Sequence, residues 1–255
     1  MPVELSLAGK TALITGGSRG IGAAAVRMFV AAGAQVVFNY HRARQQAEEL
    51  ARECGGGCIA VQADLDSAES AGALVRAAIE RFGALDVLVA NHGVWPNHDA
   101  PIDAMPEAQW HSTISINLDS VFGLVKHAVA QMKTQASGGK IVLISSTAGQ
   151  RGEAFHCDYA ATKGALISMV KGLATELARH RIYVNCVAPG WVATDMSLPV
   201  MADRAYAERV NATIPLGRIG KPEEIAAPIL FLCTEHAGFI TGEIFNVNGG
   251  AVLVG

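Results

Sequence analysis

Two side chains in the stretch CDYAATKGAL (157–166) could do chemistry together: Tyr159 and Lys163. Residues four apart lie on one face of a helix. One reading packs the phenol over the lysine stem. The other is electrostatic, with an ammonium one turn away stabilising a phenolate. Moving a phenol from a pKa of ~10 to ~7 takes about 4 kcal/mol. A unit charge ~5 Å away, at an effective dielectric of ~20, contributes about 3 kcal/mol. The choice between the readings depends on what the rest of the chain brings to this pair.

The chain has 255 residues, of which 51% are hydrophobic and 17% charged. That suits one large α/β domain over 1–255. A formal net charge of -3 offers no electrostatic grip on nucleic acid. No apolar run reaches the ~18 residues of a membrane span, and the start MPVELSLAGK lacks a basic-then-apolar leader pattern. A cytoplasmic protein is expected. Five cysteines, Cys54, Cys58, Cys157, Cys186 and Cys233, are too few and too scattered for a disulfide framework. CGGGC (54–58) reads as a loop with incidental thiols, and Cys157 lies beside the Tyr/Lys pair. His92, His98 and His156 are candidates to line one cleft, but no metal-ligand spacing appears, so no metal is expected.

The elements that must position these groups alternate along the chain. Apolar runs at 10–15, 34–40, 58–64, 85–91, 139–146, 182–190 and 242–250 read as strands. Helical patterns fall between them, the longest at about 112–136 and 157–180. Nearly continuous apolar strands fit a sheet buried on both faces. Repeated strand–helix units imply right-handed crossovers and a doubly wound, mostly parallel, seven-stranded Rossmann-type sheet. The least regular segment, 191–215, is bounded by prolines near its margins and is a candidate mobile lid.

Ligands of such sheets bind beyond the carboxyl ends of the strands. After the first strand, TGGSRGIG (15–22) places Gly16, Gly20 and Gly22 at a helix start, with Ser18, Arg19 and Ile21 between them. A glycine turn feeding a helix can hold a pyrophosphate on backbone N–H groups. The turn after the second strand, FNYHRAR, has no acid to meet ribose hydroxyls. It offers Tyr40, Arg42 and Arg44. Two arginines, Arg19 and Arg42, suit a 2′-phosphate, so NADP(H) is preferred, with NAD(H) as the alternative. Asp64 is placed to accept from an adenine amino group, with Leu65 packing beside it. Asn91 and Gly93 form a small turn after the fourth strand. Pro189, Gly190, Val192 and Thr194 could fix a carboxamide after the sixth.

Taken together, Thr15-Gly16-x-x-x-Gly20-Ile21-Gly22, Asp64, Asn91-x-Gly93, Asn117, Ser146, Tyr159-x-x-x-Lys163 and Pro189-Gly190 with Thr194 make the chain resemble the short-chain dehydrogenase/reductases over essentially its full length. Ser146 is chosen over Ser145 because it lies thirteen residues before Tyr159, the spacing usual in that family. The sequence departs from the pattern at His92, in Ala90-Asn91-His92-Gly93, and at Asn248, where an acid is common.

The resemblance implies a catalytic tetrad of Asn117, Ser146, Tyr159 and Lys163. Tyr159 would protonate a carbonyl oxygen as hydride arrives, or take the proton in reverse. Lys163 would tune the phenol and hold the nicotinamide ribose. Ser146 would orient the carbonyl, and Asn117 would hold a relaying water. The Tyr-x-x-x-Lys spacing suits carbonyl/alcohol interconversion, because related enoyl reductases space the two residues more widely. A ketone reductase is expected, with a 3-oxoacyl thioester on acyl carrier protein or CoA among its candidate substrates. The alternatives are an NAD-dependent sugar or secondary-alcohol dehydrogenase, and a nucleotide-binding scaffold without turnover. Carrier-protein use would need a basic patch at the cleft mouth, for which Lys133, Arg179 and Arg181 are candidates. His92, Trp95, Phe155, Trp191 and Met196 are the candidate substrate wall. The resemblance further implies a homotetramer, with the two long helices pairing between subunits through Ala160, Ala161, Gly164 and Ala165.

Overall fold

The computed structural model describes residues 3–254. Alternation of strand and helix begins at once. In chain order the elements are β1 (Thr11–Ile14), α1 (Gly20–Ala31), β2 (Gln35–Tyr40), α2 (Arg44–Cys54), β3 (Cys58–Gln62), α3 (Ala68–Phe82), β4 (Val87–Ala90), α4 (Glu107–Ile114) and α5 (Ser120–Met132). They continue with β5 (Gly139–Ile144), α6 (Thr147–Arg151), α7 (Cys157–Leu177), β6 (Ile182–Pro189), α8 (Leu198–Met201), α9 (Arg204–Ala212), α10 (Pro222–Cys233) and β7 (Ile244–Val247). The strands pair in the order β3-β2-β1-β4-β5-β6-β7. Every pairing is parallel, so the sheet is wholly rather than mostly parallel.

Successive strand side chains point to opposite faces, and the core divides accordingly. Ala12, Ile14, Val36, Phe38, Val87 and Val89 pack with α1, α2 and α10 on one side. Leu13, Val37, Leu88, Ala90, Ile141 and Leu143 pack with α3, α5 and α7 on the other. Both registers must therefore be apolar, which explains the unbroken hydrophobic runs.

The long helix expected at about 112–136 begins earlier, at Glu107 after Pro106. It passes through a π-helical turn at Ser115–Asp119 before continuing as α5. Insertions of this kind often mark functional positions, and this one holds Asn117. The segment 191–215 contains α8 and α9 and is tied back by a bridge between Val192 and Gly220. No helix among the described residues is long and apolar enough to cross a membrane.

Candidate active site

One cleft of about 950 Å³ opens at the carboxyl ends of the strands, at the switch between β1 and β4 where such sheets bind ligands. Gly16, Ser18, Arg19, Gly20, Ile21, Tyr40, Arg42, Asp64, Leu65, Asn91, Gly93, Tyr159, Lys163, Pro189, Gly190, Val192 and Thr194 all line it. The sequence-predicted cofactor residues are thus brought together.

The glycine loop is built for an anion. Gly16 and Gly20 take left-handed backbone, φ 62° and 55°. A Cβ at Gly22 would run into the Gly16 carbonyl. Arg19 caps α1 without a side-chain bond to its first turn, so the N-terminal amides keep their donors for a ligand. Asn39, which sequence reasoning missed, holds the loop in place. Its Oδ1 accepts from Gly16 N–H at 2.8 Å and its Nδ2 donates to the Ala63 carbonyl at 3.1 Å. The only signal was its place at the end of β2.

Asn91 also acts as a brace. Its Nδ2 donates to the carbonyls of Thr15 and Gly16 at 2.9 and 3.3 Å. Asp64 lies 3.2 Å from His41 Nε2. Arg19 crosses the cleft to Asp195, while Arg42 is exposed on its rim.

On the cleft floor, α7 presents Tyr159 and Lys163. The Lys163 Nζ lies 5.7 Å from the Tyr159 ring centroid and donates to the Ile144 carbonyl at 2.8 Å. Ser146 caps α6, accepting from Ala148 N–H at 3.1 Å, and lines the cleft with Tyr159. Ser145 instead donates to the Lys163 carbonyl at 2.8 Å, a structural role that separates the neighbouring serines. Burial pushes the Tyr159 phenol up to about 12, opposed by the neighbouring Ser146 hydroxyl and reinforced by Glu153. Burial also pulls Lys163 down to about 8. The tuning expected from the ammonium alone does not offset burial in the free protein. Low-dielectric surroundings penalise phenolate and ammonium alike. The phenol is consequently protonated at neutral pH, as an acid must be.

Asn117 is fully buried behind this pair and does not line the cleft. Its Oδ1 accepts from Val94 N–H at 2.8 Å and its Nδ2 donates to the Val94 carbonyl at 2.9 Å. It fixes the turn around Gly93, where a Cβ would lie 3.1 Å from Asn117 Oδ1 and 3.5 Å from Lys163 Nζ.

Of the expected substrate wall, Phe155 lies outside the cleft, while His92 lines it with a ring whose nitrogens bond inward. Both ring nitrogens of His92 are taken by protein partners. Nδ1 meets Thr15 Oγ1 at 2.8 Å, and Nε2 meets the Ile116 carbonyl at 3.1 Å and Ser120 Oγ at 2.7 Å. Burial lowers its pKa to about 3, so it serves as a neutral brace. Phe155 takes left-handed backbone, φ 66°, with its carbonyl held by Ala100 N–H. Its ring is 51% exposed and lies outside the cleft. Trp95, Trp191 and Met196 do line the cleft. His98 is exposed outside it, and His156 stacks on Trp95 at 4.7 Å. Glu153 and Arg151, which sequence reasoning did not single out, complete this end.

The candidate basic patch falls at the wrong end. Lys133 directly follows α5, and the Arg181 carbonyl accepts from Gly139 N–H at the start of β5. Lys133, Arg179 and Arg181 therefore gather where the strands begin, opposite the cleft.

A wholly parallel, doubly wound sheet with an anion-holding glycine loop and a Ser–Tyr–Lys group lining the same cleft defines a nicotinamide-dinucleotide oxidoreductase. The chain belongs to the short-chain dehydrogenase/reductase family and acts on CH–OH groups with NAD(P). Residues 16–252 match the family profile described as enoyl-(acyl carrier protein) reductase. A 3-oxoacyl-[acyl-carrier-protein] reductase of Synechocystis is 38% identical, over 97% of this chain and 99% of that one. An L-rhamnose 1-dehydrogenase (NAD(P)(+)) of Azotobacter vinelandii is 39% identical, over 94% and 96%. A Brucella melitensis structure described as a glucose/ribitol dehydrogenase superposes with a TM-score of 0.90 at 38% identity, covering 100% of both chains.

Proposed function

We propose that the chain interconverts a ketone and a secondary alcohol with a preference for NADP(H), reduction being the favoured direction. One observation carries this reading: Ser146, Tyr159 and Lys163 line one cleft with the glycine loop, the Lys163 Nζ 5.7 Å from the Tyr159 ring centroid. When bound, the nicotinamide supplies or takes the hydride. Ser146 orients the carbonyl, and Tyr159 gives its proton to the carbonyl oxygen or receives it in reverse. Lys163, held by the Ile144 carbonyl, places positive charge beside the oxygen that Tyr159 leaves charged. Asn117 keeps the Gly93 turn clear of Lys163. Arg19 and Arg42 flank the turn where a 2′-phosphate would lie. The Tyr-x-x-x-Lys spacing favours C=O over C=C chemistry, whatever the family profile is called.

A 3-oxoacyl thioester, the substrate class named for the Synechocystis relative, is one candidate. A sugar, as named for the Azotobacter relative, or a polyol is the other. Two observations favour the second: the polar Glu153 at the substrate end, and the remoteness of Lys133, Arg179 and Arg181 from the mouth. Assembly as a homotetramer belongs to the same reading. Trp110 on α4 and Phe122 on α5, 36% and 51% exposed, supply apolar surface for it, and light scattering tests it. Closure of 191–215 over substrate also belongs here. The reaction class is tested by NADPH consumption on simple ketones, which Tyr159→Phe should reduce by orders of magnitude while cofactor binding persists. Undiminished turnover in that variant overturns it.

A further inference from the structure

The far end of the cleft carries a carboxylate with no assigned task. Glu153 lies in the loop between α6 and α7, half-buried and lining the cleft. One oxygen, Oε1, accepts from Trp95 Nε1 at 3.3 Å. The indole is itself fixed from two sides. It stacks on His156 with ring centroids 4.7 Å apart, and meets Trp191 edge-on at 6.0 Å. His156 is anchored by Pro96, whose carbonyl lies 2.8 Å from Nε2. Trp191 meets Tyr206 of α9, again edge-on at 6.0 Å. Glu153 is thus tied to an aromatic frame that includes Trp191 and Tyr206 of segment 191–215.

Its other oxygen has no hydrogen-bond partner, and no cation pairs with Glu153 among the described residues. The charged groups acting on it are Arg151 and His156, which oppose the effect of burial, and Asp158, which adds to it. Glu153 and Tyr159 both line this cleft. That oxygen is not sealed from solvent, and its lone pairs are open to a ligand's donors. A lone hydroxyl-bearing ligand supplies them, whereas an unsubstituted acyl chain does not. The neighbouring indoles offer apolar bodies for the C–H face of a ring.

We propose that Glu153, framed by Trp95 and Trp191, is a specificity-determining residue. It accepts a hydroxyl on the carbon next to the reacting one, so the preferred substrates are polyhydroxylated, of the sugar or polyol class. This rests on the ketone–alcohol reading, because Tyr159 marks the reacting carbon.

The test uses two alcohols that differ by one hydroxyl, cyclohexanol and trans-cyclohexane-1,2-diol. Each is oxidised with NADP+ by the parent protein and by Glu153→Gln, which keeps the side-chain volume. The readout is the diol-to-monool ratio of kcat/KM, which cancels any loss of folded protein. The parent ratio is expected to exceed one. The variant should lower it about ten- to a hundredfold, the value of one hydrogen bond to a charged acceptor. A parent ratio of one or less, or a ratio unchanged in the variant, overturns the inference and leaves the reaction class standing. Failure to oxidise either alcohol, together with no NADPH consumption on cyclohexanone, overturns the reaction class and the inference with it.

Discussion

The Arg19 guanidinium lies 3.3 Å from the Asp195 carboxylate, joining the glycine loop to the segment after β6 across the cleft. The pair occupies the arginine that a 2′-phosphate would use. Both side chains are exposed, 64% and 58%, and such pairs contribute about 1 kcal/mol or less. A phosphate carrying nearly two charges should therefore displace Asp195 readily. Asp195→Asn is expected to tighten NADPH by up to about fivefold and to leave NADH nearly unchanged. Arg19→Ala and Arg42→Ala should each weaken NADPH selectively. Titration of nicotinamide fluorescence at matched ionic strength checks this. Equal effects on both cofactors would remove the case for NADP(H) preference.

The five thiols should differ sharply in reactivity. Burial raises Cys58 to about 12 and Cys186 to about 11, and also raises Cys54 and Cys233. Thiolate, not thiol, is the nucleophile. Cys157, half-buried at the start of α7 beside Asp158 and Tyr159, should be alkylated first by iodoacetamide at about pH 8. Activity should fall with its modification, and Cys157→Ser should stay active and resist the reagent. Peptide mapping that finds Cys54 or Cys58 labelled first would contradict this ordering.

Much of this site was legible because its residues sit in strong local patterns. The strands showed as apolar runs, since Leu13 and Ile14 are both buried, on opposite faces. Tyr159 and Lys163 showed as a helical pair, and Gly16, Gly20 and Gly22 as a strand-to-helix turn. What could not be read depends on side-chain direction or on partners distant in the chain. His92 follows β4 like a cleft residue, yet its ring turns to Thr15 and Ser120. Phe155 is apolar and near Tyr159, yet its backbone carries the ring to solvent. Glu153 meets Trp95, and Arg19 meets Asp195, through contacts that no short window contains. Lys133 and Arg181 do cluster, but only the topology shows at which end of the sheet.

Asn117 offers a test of what a buried polar residue does here. Its amide satisfies both the N–H and the carbonyl of Val94. Truncation leaves both without these partners. Asn117→Ala should lose about 2–3 kcal/mol of stability, read from denaturant midpoints with an unchanged slope. Its turnover should fall as well, because the Gly93 turn is freed beside Lys163. A variant as stable as the parent but inactive would instead assign Asn117 to proton transfer alone.

The two buried groups of α7 make opposite predictions for pH. Lys163 has its folded pKa lowered, from 10.5 to about 8. Between those values the unfolded chain binds more protons, so stability rises with pH there and is flat in this respect below about 8. Tyr159 has its folded pKa raised, from 10.0 to about 12, so its contribution is lost as pH rises through that interval. Lys163→Met removes the first effect. It also leaves the Ile144 carbonyl without its donor, at a cost that does not depend on pH. The parent should gain up to ~3 kcal/mol on Lys163→Met between about pH 7.5 and pH 10, measured as the difference in unfolding free energy at each pH. The same ionisations set the direction of catalysis. Carbonyl reduction uses the protonated phenol and should be level across neutral pH, whereas alcohol oxidation uses the phenolate and should climb toward alkaline pH. Parallel profiles in the two directions would show that Tyr159 is not the group exchanging the proton.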